Sequence, residues 1–183
     1  MTTPTAAATT TWNLDPAHTA AEFKVKHMMI TNVKGQFTSV TGAITLDERD
    51  ITKSRAEVTI AANSIDTRHP DRDAHLKSAD FFDVEKFPVL KFVSTRVSRG
   101  RNDELHVEGD LTIRGVAKKV VFQVDGPSEP AKDPWGNTRL GLTATTKVNR
   151  KDFGLTWNSA LETGGVLVGE EVTITLDVQA VKN

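Results

Sequence analysis

The side chains in this sequence that could do chemistry are five histidines and two arginine-bearing clusters. His18, His27, His69, His75 and His106 are spread along the chain, with no H-E-x-x-H and no pair at i, i+4. That spacing is what sets two imidazoles on one helix face toward a metal. Cysteine is absent, which removes thiolate catalysis, disulfides and thiolate metal sites. No G-x-S-x-G elbow, P-loop or dinucleotide fingerprint is present. An enzyme would need a nucleophile beside a base, or two convergent carboxylates. The catalytic reading left open uses His27 or His75 as a base on a lipid-like substrate.

Each cluster has a functional and a structural reading. Residues 66–73 (DTRHPDRD) are dense in charge. Arg72 offers a bidentate fork for a phosphate or carboxylate, or pairs with Asp66 and Asp73 to cap the start of a helix. Residues 149–154 (NRKDFG) place Arg150 beside Lys151 at a strand end. They attract an anionic head group, or form a solvated turn. His27 has three readings: a core histidine bonded to a carbonyl, a polar contact to a ligand head group, or a metal ligand.

The elements that must position these groups are strands, since apolar residues recur with period two. Over residues 20–30, Phe23, Val25, His27 and Met29 share one face, with Glu22, Lys24 and Lys26 opposite. Residues 36–46 read as one strand with Phe37 out of phase with Val40, Ile44 and Leu46, which predicts a bulge near Gly35. Residues 55–62 alternate next. In 88–98, Leu90 and Phe92 fall on one face and Val89, Val93 and Val97 on the other. In 104–114, Leu105, Val107, Gly109, Leu111 and Ile113 point inward, Gly109 leaving open space. Further strands carry Val120 to Val124, Leu140 to Val148 and Val172 to Ala180, with turns at 114–117 and 133–137. Residues 70–83 break the pattern and read as a short helix, with Pro70 at its start and Leu76, Ala79 and Phe82 on its apolar side. About eight strands without crossover helices predict an all-β, single antiparallel barrel, closed to remove sheet edges. Such a barrel holds a small ligand or fills itself with side chains.

The chain has 183 residues, a charged fraction of 26% and a formal net charge of −1. That is one domain, with no bulk pull toward nucleic acid or an anionic membrane. Residues 1–11 are mostly Thr and Ala and read as a disordered tail ahead of a domain over 12–183. No readable signal peptide precedes the domain, so the chain as written is expected in the cytoplasm, or in the periplasm or outside if a leader has been removed. No run approaches the length of a membrane span, so no stable insertion is expected.

Several stretches together resemble the YceI family of bacterial proteins: WNLDPAHT (12–19), FKVKHM (23–28), VKGQF (33–37), SIDT (64–67), RDAHLKS (72–78), FFD (81–83), FP (87–88), GDLTIRG (109–115) and NRKDFG (149–154). The ordered set carries the resemblance rather than any single motif. It implies a lipocalin-like barrel with a helix near one end. It also implies binding of a polyisoprenoid, isoprenoid quinone or fatty acid inside it, often as a homodimer, with no other cofactor. On this resemblance and the strand phases, the expected ligand contacts are Phe23, Val25, His27, Phe37, Arg72, Leu76, Phe81, Phe82, Leu90, Phe92, Val107, Leu111, Ile113, Arg150, Phe153 and Trp157. Two other readings stand beside this one: the barrel enzyme, and a stress-related interaction module whose core is filled.

Overall fold

Alternation builds the wall of the molecule. In the strand Leu105–Ile113, buried Leu105, Gly109, Leu111 and Ile113 alternate with more accessible His106, Asp110 and Thr112. The computed structural model describes residues 8–183. Its strands are β1 (Thr9–Leu14), β2 (Ala20–His27), β3 (Thr31–Phe37), β4 (Val40–Asp47), β5 (Arg55–Ala61), β6 (Ile65–Asp66), β7 (Val89–Arg99), β8 (Leu105–Ile113), β9 (Val116–Asp125), β10 (Ala131–Lys132), β11 (Thr138–Asn149) and β12 (Val168–Lys182). One helix, α1 (Pro70–Lys77), lies between β6 and β7.

Eight antiparallel strands close a barrel in the order β11-β9-β8-β7-β5-β4-β1-β12, with β12 pairing again to β11. Strand β12 is the spine. It pairs with β11 along one side; on the other it pairs with β2 near its start and with β1 near its end. The β2–β3 hairpin and short β6 therefore carry the wall onward at the end of the barrel that holds α1. At that same end β9 and β11 are unpaired, since their shared rungs run only from Thr143–Asp125 to Thr145–Gln123, at the far end of β9. The 3-10 turn Arg150–Phe153 follows β11 there and buries Phe153.

Four expectations change. The stretch 36–46 is two strands, not one bulged strand. The chain turns at Thr38 and Ser39, whose backbone N–H groups donate to the Ser64 carbonyl and hydroxyl at 3.1 Å. Phe37 and Val40 each point inward on their own strand. In β7, the register shifts between Ser94 and Arg96, so Val97 is buried while Val89 and Val93 stay exposed. An extra residue in a period-two element exchanges its faces. The helix stops at Lys77 because Ser78 turns its N–H and hydroxyl back onto the His75 carbonyl, at 3.1 and 2.6 Å. The predicted tail also shortens. Residues 1–7 lie outside the described residues, but Thr9, Thr10 and Thr11 pair with Asp47, Leu46 and Thr45 in the sheet. β-Branched threonines suit a pleated strand, and the Thr10 hydroxyl accepts the indole N–H of buried Trp12 at 2.9 Å.

Away from the helix end, Arg139 on β11 locks two turns. Its Nη1 donates to Asp15 and its Nε to Asp133, both at 2.6 Å. The guanidinium, aided at Asp15 by His18, holds each carboxyl well below the usual range, at about 2. A depressed carboxyl pKa stabilises the fold above the unfolded value and loses that contribution as protons return. Unfolding midpoints are therefore expected to hold from neutral pH down to about pH 5, then fall between about pH 4 and pH 2. Arg139→Gln makes that acid limb shallower in urea titrations at stepped pH; an unchanged limb would place the acid sensitivity elsewhere.

Candidate functional site

Inward-facing side chains at the helix end do not meet at the barrel axis. They surround a cavity of about 260 Å³ whose surface is almost wholly apolar. Strand β2 supplies Ala21, Phe23, Val25 and His27, β3 supplies Val33 and Phe37, and β12 supplies Val168, Val172, Ile174 and Leu176. The helix and the turns after it add Arg72, His75, Leu76, Phe81 and Phe82. The opposite wall is Val58, Ile60, Leu90, Phe92, Leu111, Ile113 and Phe122. Val148, Arg150, Phe153, Leu155, Trp157 and Leu167 complete it, with Glu22, Lys26 and Lys91 also in its lining.

Two aromatic groups shape the cavity. Phe37 meets Phe23 at 5.7 Å and Phe82 edge-on at 5.6 Å. His75 stands edge-on to Trp157 at 4.7 Å and to Phe81 at 5.1 Å. Such tilted contacts stabilise rings beyond their area burial. Phe23 lies over Gly35, where any Cβ would strike its ring.

Below this cavity lies a second, of about 100 Å³, lined by Val107, Leu105, Val124, Leu140 and Leu142 among others. Val58, Phe92, Phe122 and Leu176 line both. The partition is built around the Phe92–Phe122 pair, edge-on at 5.0 Å. Phe92 also occupies the room expected over Gly109: a Cβ there would come within 2.6 Å of its Cζ. The glycine therefore admits a ring, and leaves no void.

Every residue expected at the site lines the first cavity except Val107, which lines the second. The two arginines have other work. Arg72 donates through Nε to the Thr67 hydroxyl at 2.8 Å and through Nη2 to the Thr67 carbonyl at 2.7 Å. Asp73 accepts from the Thr67 N–H at 2.9 Å, and the helix cap is His69, whose Nδ1 accepts from the Arg72 N–H at 3.2 Å. The charged run thus fixes the loop-to-helix junction, as the capping reading held, though through Thr67 and His69.

Arg150 corrects the head-group expectation more sharply. Its guanidinium is buried and donates to four backbone carbonyls: Gly169 at 2.7 Å, Leu155 at 2.6 Å, Trp157 at 2.9 Å and Val168 at 3.2 Å. Burial lowers its pKa, and the nearby Glu170 charge opposes that shift. A guanidinium has five N–H donors, so little is left for an anion. Arginine is the side chain whose planar fork can span four carbonyls from two segments at once.

The histidines are set apart from one another. His27 ends β2, paired across the sheet with Thr31 and Val168. His75 Nε2 lies 2.9 Å from Asp80 Oδ2. The nearest hydroxyl in sequence, Ser78, is committed to the His75 carbonyl. Among the described residues no three His, Cys, Asp or Glu side chains gather as a metal site would require. Sequence reasoning missed Phe122, Val172, Ile174 and Leu176 as lining, although their strand phases pointed inward. It had no signal for Leu155 and Leu167, which sit in irregular backbone.

Residues 12–180 match the YceI-like domain family. The chain is 39% identical over 165 residues to a UPF0312 protein of Staphylococcus aureus strain MSSA476, covering 89% of this chain and 92% of that protein. Its fold is similar to that of Burkholderia cenocepacia BcnA, with a TM-score of 0.77 and 22% identity over 91% of this chain and 98% of that one. It is also similar in fold to a polyisoprenoid binding domain from Saccharophagus degradans implicated in plant cell wall breakdown. There the TM-score is 0.68 at 13% identity, covering 94% and 98% of the two chains.

Proposed function

The chain belongs to the YceI-like family, and on that premise we propose that its barrel binds a long apolar amphiphile, a polyisoprenoid, isoprenoid quinone or fatty acid, without transforming it. The observation that carries this reading is the apolar, aromatic-walled cavity at the helix end. The fold shared with a domain described as polyisoprenoid-binding supports it. Each methylene moved from water into such a space contributes about 0.8 kcal/mol, so a prenyl or acyl chain needs few polar contacts. The four Arg150 donors held by backbone carbonyls fit that economy, because binding then rests on the chain. The head group lies at the mouth beside His27 and Trp157, where polar groups set orientation more than affinity. A filled-core interaction module would leave no such cavity.

Mass spectrometry of an organic-solvent extract from freshly purified protein tests the proposal. The expected result is one long-chain amphiphile in near-stoichiometric amount, and saturable uptake of geranylgeraniol by the stripped protein. An empty extract together with no saturable uptake would sink it.

A further inference from the structure

The turn joining β2 to β3 presents Met28, Met29 and Ile30 at 43%, 57% and 73% exposure. Three consecutive exposed apolar side chains are unusual on a soluble protein surface. Their backbone makes them more so. Met28 and Met29 both have positive φ, 51° and 61°, a conformation that Asn-Gly adopts at far lower cost. The geometry of a hairpin does not ask for methionine here, so the side chains themselves need another reason. The tip is held in place: the Met28 N–H donates to the Leu167 carbonyl at 2.7 Å, and Met29 packs on Gly165.

Behind the tip, the outer face of the hairpin is basic. Lys24 stands directly opposite Lys34 in the ladder, and Lys26 opposite Asn32. Like charges facing each other across strands are destabilising unless a counter-charge is near. Among the described residues none of these three lysines forms an ion pair, whereas the acids nearest them on β12, Glu170 and Glu171, are taken by Lys151 and Lys147. Glu22 is the one acid on this face of β2. The tip also adjoins the cavity, since Lys26, His27, Val33 and Leu167 all line it.

We propose that the β2–β3 turn is a membrane-docking element: Met28, Met29 and Ile30 enter the head-group layer of an anionic bilayer, Lys24, Lys26 and Lys34 meet its phosphates, and the cavity mouth is thereby held against the lipid it loads from. Apolar side chains flanked by lysines are the composition that binds an anionic interface. The proposal rests on the reading of the cavity as an amphiphile site, and deepens it by naming where the ligand enters.

The test is co-sedimentation of the full chain with phosphatidylcholine vesicles and with mixed phosphatidylcholine–phosphatidylglycerol vesicles. Parallel titrations with the fluorescent fatty acid parinaric acid, without vesicles, read the cavity. Binding is expected to the mixed vesicles and to weaken with added salt. Replacing Met28→Asn and Met29→Gly together should lower partitioning by about tenfold or more while leaving the unfolding midpoint unchanged or higher. Lys24→Gln with Lys34→Gln should cost about fivefold per lysine on mixed vesicles. Both variants should take up parinaric acid as the parent does. Wild-type vesicle binding by both variants, or no binding by the parent, overturns docking while leaving the cavity reading intact. A change in oligomeric state of the Met28/Met29 variant without loss of vesicle binding also overturns it, in favour of contact with a second copy. Docking without parinaric acid uptake would uphold the membrane surface and sink the cavity reading.

Discussion

Arg150→Ala is expected to destabilise the protein by about 3–5 kcal/mol, the usual cost of removing one side of a buried charged hydrogen-bond network. The carbonyls of Leu155, Trp157, Val168 and Gly169 would lose their shared donor. Those groups belong to the segment after the 3-10 turn and to the start of β12, so the cavity loses its Trp157 wall as well. For a domain of this size the melting temperature should fall by on the order of 10 °C. Arg150→Lys should recover little, because an ammonium cannot reproduce the planar fork. Affinity for an anionic amphiphile and for its neutral alcohol should decline together, since four of the five Arg150 donors are held by backbone carbonyls. A variant with an unchanged urea midpoint and a selective loss of the anionic ligand would return Arg150 to the head-group role.

Leu111→Trp separates a cavity from a core. Leu111 is buried in β8, pairs with Phe92 across the sheet and lines the larger cavity. In a filled interior the added volume would force neighbours off their rotamers at about 1–3 kcal/mol. In this barrel the indole has free space ahead of it, so the stripped protein should unfold within about 1 kcal/mol of the parent. The indole excludes roughly two to three methylenes of ligand at about 0.8 kcal/mol each, so geranylgeraniol affinity should fall about 15- to 60-fold. Denaturant unfolding and a binding titration on the same preparation measure both. Strong destabilisation with unchanged affinity would mean that Leu111 faces packed side chains and the ligand lies elsewhere.

Much of the site was legible because strand phase is a local property. Phe23, Val25 and His27 share a face for the same reason that Leu111 and Ile113 do: successive side chains alternate across a pleated backbone. The phase failed where the backbone departs from strict alternation, at the corner of Thr38 and Ser39 and at the β7 bulge that turns Val97 inward. Neither departure has a reliable signature in residue type, since both depend on what the neighbouring strand offers.

By itself the sequence determined the all-β class, the inward set on strands that keep strict alternation, the helix start at Pro70 and the absence of thiol chemistry. These follow from period, from the fixed φ of proline and from composition, all of which act over a few residues. Only the tertiary structure decided what the charged groups do and whether the barrel is hollow. Arg150 reads the same in sequence whether it meets an anion or four carbonyls, because those carbonyls lie 5 to 19 residues away along the chain. Whether inward side chains meet or leave a cavity depends on the barrel's girth and on the hairpin β2–β3 that widens one end. That girth comes from how eight strands close on one another, a sum over long-range pairings that no local pattern contains.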